Sequence, residues 1–330
     1  MENGLTLENN ESFIKRFFKN DLSRTIVILI TLCVIMGIAR PATFLTVNNF
    51  VNIISQISVN GIMVMGLFFA ILTGGINISL GSVAAFTSML TAMMLVSENP
   101  FSSNLFVALL AGIAVSVVIG LIAGFFIAEL GLQPYIVTLA LQVAFRGLTM
   151  VVSQGMPVSK LGEPFSYIGV KYLGPVPINV IIMLVLFIIF YYMMEHTGFG
   201  RHLYAIGGNK EAARLSGINT KKDIYIVYII GSMMAAIAGM ILASRVNSAT
   251  PIAGQGAEMD AIAAAVIGGA SLKGGKGTIL GALIGAMIIG ILNSGLVMLD
   301  IDVYWTQVVK GAIIIIAVSA DAISLRRRNK

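Results

Sequence analysis

Apolar runs and short polar interludes alternate along nearly the whole chain. The runs at residues 25–39, 50–73, 105–128, 135–152, 180–194, 223–243, 278–299 and 303–320 carry almost no charge. A helix needs about 20 apolar residues to cross the hydrocarbon core of a bilayer, so each run reads as a membrane span. Two further runs are shorter. One follows a break at residues 73–82, TGGINISLGS, and continues to about Val96. The other covers residues 258–270 and is only about half a bilayer long. The pattern predicts an all-α polytopic membrane protein of about ten transmembrane helices, eight at the fewest, some of them short or discontinuous.

The break at residues 73–82 has no charge and almost no loop. Backbone of that kind persists in a membrane only where protein or a water-filled cavity satisfies its N–H and C=O groups. Two readings are open. It is a discontinuous helix beside a transport path, like the half-helices that line substrate sites in transporters, or it is a tight cytoplasmic hairpin. Residues 153–179 form a long connection with four prolines, Pro157, Pro164, Pro175 and Pro177, and room for a short gate helix.

Composition supports the membrane reading. The chain is 57% hydrophobic and only 11% charged, where a soluble globular protein has roughly 25% charged residues. The net charge of +6 could suggest nucleic acid in a soluble protein. Here the basic residues gather at the chain ends and in a few loops, which is the mark of membrane topology, so no nucleic-acid partner is expected. An even span count puts both basic ends on the cytoplasmic side. Arg201, Lys210, Arg214, Lys221 and Lys222 fall on that side, with Lys273 and Lys276, while Asp300 and Asp302 fall outside. The expected organisation is a cytoplasmic tail at residues 1–21, one transmembrane domain at 22–325 with a cytoplasmic loop at 196–222, and a basic cytoplasmic tail at 326–330. The first twenty residues lack the apolar core of a signal peptide. The single cysteine, Cys33, permits no disulfide within the chain.

Residues 200–222, GRHLYAIGGNKEAARLSGINTKK, are the longest polar interlude in the apolar body. They predict a short helix over KEAARLS. Asn209 is its N-cap, accepting from a free backbone N–H. Glu211 lies in the first turn, where the helix dipole favours an anion, and Gly217 closes the C-terminus in the left-handed conformation. Two turns are not stable alone in water, so other parts of the molecule or a partner must hold them. The segment is either an ordinary amphipathic connector or a coupling helix that enters a groove on a cytoplasmic motor subunit.

Catalytic chemistry is not indicated. ASLKGGKG at residues 270–277 fails the phosphate-loop pattern, which needs Gly where Ala270 stands and Ser or Thr where Gly277 stands. His196 and His202 lack the acidic or cysteine neighbours of a metal site. Acids within the spans are nearly absent, Asp260 being the main candidate, which argues against a proton-driven pump. Arg146, inside an apolar run, must face the interior or an interface.

Several segments together carry a resemblance: residues 73–82 (TGGINISLGS), 200–217 (GRHLYAIGGNKEAARLSG), 245–264 (RVNSATPIAGQGAEMDAIAA), 268–277 (GGASLKGGKG) and 304–310 (YWTQVVK). The chain resembles the permease subunits of bacterial sugar ABC importers of the ribose, xylose and galactoside type, over nearly its whole length after about residue 25. The resemblance implies a multi-pass protein of the bacterial inner membrane, paired with a second permease copy or a paralogue. It implies two cytoplasmic ATP-binding subunits, which hold the ATP and Mg, and an extracytoplasmic sugar-binding protein. No cofactor and no catalysis are expected in this chain itself. Carried onto these positions, Gly208, Asn209, Glu211, Ala212, Ala213 and Gly217 become the ATPase-coupling residues. Asn77 stands where many relatives have Asp, which puts an ion-dependent role there in doubt. Amides both donate to and accept from hydroxyls, so Asn60, Asn77, Gln142, Asn293 and Gln307 are the expected lining of the sugar path. The connections at residues 153–179 and 244–257 are expected to dock the binding protein. Two alternatives remain: a stand-alone facilitator or secondary transporter, and the same importer with a non-sugar cargo.

Overall fold

The computed structural model describes residues 21–101 and 103–328. The expected N-terminal tail, except its last residue, and the final two residues of the basic tail lie outside the described residues. The chain is built from helices. These are α1 (Asp21–Ala39), α2 (Pro41–Phe44), α3 (Val47–Leu72), α4 (Leu80–Leu95), α5 (Leu105–Gly124), α6 (Pro134–Ser153) and α7 (Glu163–Val170). They continue with α8 (Ile178–His196), α9 (Gly198–Gly208), α10 (Lys210–Leu215), α11 (Thr220–Val246), α12 (Ala257–Ile267), α13 (Ile279–Met298) and α14 (Val303–Arg328). A π-helical turn, Phe125–Glu129, extends α5. Two small antiparallel ladders join Val158–Ser159 to Ser248–Ala249 and Tyr172–Leu173 to Val176–Pro177.

Among the described residues, seven helices are long and apolar enough to cross a membrane: α1, α3, α5 with its π turn, α6, α8, α11 and α13. Helix α4 is apolar but has only 16 residues. The connection between residues 153 and 179 holds one short helix, α7. Two expectations are corrected. Residues 198–208, read as loop, form the helix α9, because Leu203 and Ile206 find buried positions. The last helix runs on through Arg328, so the segment from 326 continues the helix as far as it is described.

The long helices sort into a centre and a rim. In α3 the apolar window is 83% buried, against 11% in α1. Helix α11 packs against α3, α4 and α5, and α13 packs against α3, α12 and α1. Small residues make this closeness possible. A Cβ on Gly120 of α5 would fall 2.5 Å from the Ile229 Cα of α11, and one on Gly285 of α13 would overlap the Ala264 carbonyl of α12. Helix pairs in membranes gain chiefly from such packing, since lipid tails supply no hydrophobic drive between helices. The rim helices turn apolar side chains outward, among them Phe106, Val143, Val151 and Ile188.

The connections collect at two ends. At one end the Gly275 N–H donates to the Leu72 carbonyl, Tyr204 Oη donates to the Gly277 carbonyl, and Lys221 pairs with Glu129 at 2.5 Å. Residues 73–75, 129–133, 196–219 and 268–278 therefore meet there. At the other end Arg40 pairs with Asp300 at 3.1 Å, and the Val158 and Ser248 strands join. The basic 200–222 segment and Lys273 and Lys276 share one end, and Asp300 lies at the opposite one.

A candidate translocation cavity

Two backbone segments break inside the bundle. After Leu72 the chain turns at Gly74, which has φ +80°, and runs without helix to Ser79. Its polar groups are met by side chains. The Ile78 N–H donates to Thr138 Oγ1, that hydroxyl lies 3.0 Å from the Ile76 carbonyl, and the Ser79 N–H donates to Asn77 Oδ1. The second break precedes α12, where Gly254 and Gly256 adopt positive φ. The two breaks touch: a Cβ on Gly81 would overlap the Gly254 carbonyl oxygen. The N-termini of α4 and α12 thus meet within the bundle. Residues 73–82 combine features of both readings: Gly74 is exposed at the end of the bundle, and Asn77, Ile78 and Ser79 are buried within it. Buried protein satisfies the backbone, as a membrane interior demands.

One face of α6 fastens both breaks. Thr138, Gln142 and Arg146 follow at intervals of four, so they stack on one side of the helix. Thr138 holds the first break. Gln142 Nε2 donates to Glu258 Oε1 at 3.2 Å, and Arg146 Nη1 donates to the Pro251 and Ala253 carbonyls at 2.8 and 2.9 Å. The charge of Arg146, costly in lipid, is used to order the second break.

Beside this junction lies a cavity of about 1080 Å³. Its polar lining includes Gln56 and Asn60 from α3, Gln142 from α6, Arg245 from α11, Glu258 and Asp260 from α12, and Gln307 and Lys310 from α14. Asp260 Oδ2 accepts from Lys310 Nζ at 2.9 Å and from Asn293 Nδ2 at 3.2 Å. Glu258 is 5% exposed, and its Oε2 is buried with no hydrogen-bond partner among the described residues. The lining offers donors and acceptors of both charge signs, enough to exchange for the hydration of a polar solute.

The structure brings Asn60, Gln142 and Gln307 together on this lining. It places Asn293 behind Asp260 rather than among the lining residues. Asn77 lies elsewhere: it is 1% exposed and accepts from the N–H and hydroxyl of Ser79. Sequence reasoning misses the charged residues Arg245, Glu258 and Lys310 as cavity lining. Glu258 and Asp260 carry a signal, being two acids in the first turn of a half-length helix in an acid-poor chain. Lys310 carries none, because its partner is 50 residues away.

At the end of the bundle that holds α9, helix α10 has the predicted cap. Asn209 Oδ1 accepts from the Ala212 N–H at 2.9 Å, and Gly217 has φ +86°. Glu211 is bound to Arg214 at 2.6 Å rather than free in the first turn. Ala213 is buried, whereas Gly208, Glu211, Ala212 and Leu215 are exposed, Leu215 at 74%.

Membrane-length helices around a polar cavity, with the second broken segment in its wall and the first packed against that segment, define a membrane permease. The family of branched-chain amino acid transport system permease components matches residues 49–318, and the chain belongs to that family. It is a transport component of the membrane, not a catalyst. The chain is 42% identical over 302 residues to the ribose import permease protein RbsC of Escherichia coli strain K12, covering 90% of this chain and 92% of that one. It is 40% identical over 299 residues to the D-allose transport system permease protein AlsC of the same strain, covering 90% of each. It is 32% identical over 359 residues to the xylose transport system permease protein XylH of Haemophilus influenzae, covering 89% of this chain and 95% of that one. No solved structure matches.

Proposed function

We propose that the chain is the permease subunit of an ATP-driven importer of a monosaccharide. The polar cavity at the meeting of the two broken segments carries this reading. Its amides and charged groups suit a neutral polyol, whose every hydroxyl both donates and accepts. The relatives named for ribose, D-allose and xylose support a pentose or hexose cargo. In this reading Asn60, Gln142 and Gln307 contact the sugar directly, and Asn293 sets the position of Asp260. Asn77 holds the first break in shape rather than touching cargo. The seven long helices cross the inner membrane together with the 26-residue α14. The short helices α4 and α12, each preceded by its non-helical segment, make two further crossings, which gives about ten membrane segments with both chain ends in the cytoplasm.

Energy comes from ATP and Mg in separate cytoplasmic subunits. Helix α10 and the end of α9 are their contact: Gly208 of α9 and Glu211, Ala212 and Leu215 of α10 present the outer surface, while Asn209, Ala213 and Gly217 keep α10 formed and seated. A second permease subunit completes the membrane core. A binding protein delivers sugar at the opposite end, on residues 154–177 and 247–252. Uptake of labelled pentoses and hexoses into proteoliposomes tests this, comparing the chain alone with the chain plus its ATPase, binding protein and ATP. Uptake in the complete system alone is expected. Saturable sugar flux from the chain alone overturns the reading in favour of a facilitator.

A further inference from the structure

A second cleft, of about 650 Å³, lies under α7 and is lined by Lys160, Glu163, Tyr167, Lys171 and Ser244 among others. Among the described residues, Arg245 is the one that lines both this cleft and the central cavity. Its position is fixed by packing. The Ser244 hydroxyl donates to the Phe165 carbonyl at 2.5 Å and accepts from the Gly169 N–H at 2.7 Å, which pins α7 to α11. Gly169 then lies directly on the arginine stem, where a Cβ would stand 2.8 Å from Arg245 Cγ. The guanidinium donates to no acceptor among the described residues. A charge in a membrane bundle is retained where it faces a partner or a water-filled path. Arg146 has its two carbonyl partners in the wall, whereas Arg245 faces two open spaces.

We infer that Arg245 is the threshold residue of the path, the side chain that hands cargo from the α7 cleft to the central cavity and selects for adjacent hydroxyls. This rests on the importer reading above. The guanidinium fork presents parallel N–H groups at a spacing that two neighbouring oxygens fill. A vicinal diol offers such a pair, and its hydroxyl protons then need acceptors. Glu258 and Asp260 supply carboxylates on the lining of the same cavity. A cargo that lacks one of the two hydroxyls leaves half of the fork unfilled and is passed less well. Lysine keeps the charge and loses the fork, so charge and geometry can be separated.

Two measurements test this. In the first, Cys33→Ser gives a background without thiols, because Cys33 is the single cysteine. Arg245→Cys in that background is treated with a membrane-impermeant thiosulfonate from the α7 side. Labelling that loaded binding protein slows is expected. Absence of labelling from that side, or labelling indifferent to cargo, overturns the threshold assignment. The second compares uptake of a transported sugar with its deoxy analogue at saturating binding protein. The wild type should prefer the diol, and Arg245→Lys and Arg245→Gln should each lower that preference about tenfold, the loss expected for a charge-assisted hydrogen bond. An unchanged preference with both rates reduced in parallel overturns the selective role. Failure of the complete wild-type system to move any sugar instead overturns the importer reading, while the labelling still reports on the threshold.

Discussion

Lys310 Nζ stands 2.9 Å from Asp260 Oδ2, and this ion pair closes the cavity wall between α12 and α14. Removing one partner of a fully buried pair costs about 3–5 kcal/mol. The Lys310 side chain keeps 26% of its surface exposed and Asp260 13%, so Lys310→Met should cost about 2 kcal/mol. Thermal unfolding in detergent measures this. Asp260→Lys combined with Lys310→Asp should recover most of the loss, and failure to recover would show that the pair is not the relevant contact.

Arg146 should matter for transport more than for expression. Arg146→Gln removes the charge and at least one of two carbonyl bonds that order residues 251–253. Each hydrogen bond to a charged group is worth about 1.5–3 kcal/mol, so uptake is expected to fall about tenfold or more. Gln142→Leu should act on the same element by leaving Glu258 Oε1 without its donor. Uptake and protein yield, measured side by side, decide this: a parallel fall in both contradicts a positioning role.

Gly285→Ala should destabilise the bundle. The added methyl meets the Ala264 carbonyl backbone, not a flexible side-chain end, and cannot be accommodated by a rotamer change. Overpacking of this kind costs about 1–3 kcal/mol. Gly147→Ala, where a Cβ meets nothing within 4 Å, is the matched control and should be near neutral. Equal melting temperatures for the two variants would refute the close-packed α12–α13 contact.

In the importer reading, Leu215→Glu should weaken co-purification of the ATPase without unfolding the chain, since Leu215 is 74% exposed. Glu211→Ala should do so less, because it removes the Arg214 pair on the same surface. The hydrogen bond from Arg214 holds the Glu211 carboxyl below the ordinary carboxylate range. Its folded-state value is therefore the lower one, so the pair is intact above the ordinary carboxylate value and is lost only as pH falls through the depressed one. Co-purification should be flat across neutral and mildly acidic pH, and a drop near neutrality would point to another group.

Much of this architecture can be read along the chain, because span length and small polar caps are local properties. Asn209, Gly217 and the half-length helix after Gly256 are legible from a few neighbours each. The cavity is less so. Asp260 and Lys310, or Gln142 and Glu258, are brought together by packing over long sequence separations, which no period encodes. Asn77 shows the opposite error: an amide in an apolar run suggests a solute path, yet its oxygen turns back on Ser79 two residues away. Helix α9 reads as loop because its glycines and charges suggest a turn, while two buried side chains, Leu203 and Ile206, are enough to seat it.

Helix α12 has 11 residues and so spans about 16 Å at 1.5 Å per residue. In the importer reading, water in the cavity reaches the start of that helix, and the remaining protein is a thin insulator. The transmembrane voltage then drops across a layer about half as thick as the bilayer, which steepens the local field. A neutral sugar does no electrical work in crossing it, whereas a singly charged cargo gains or loses about 2.3 kcal/mol per 100 mV. The short helix therefore leaves the total electrical work unchanged, nil for a neutral sugar, but concentrates the work done on any charged solute into the short stretch beside α12.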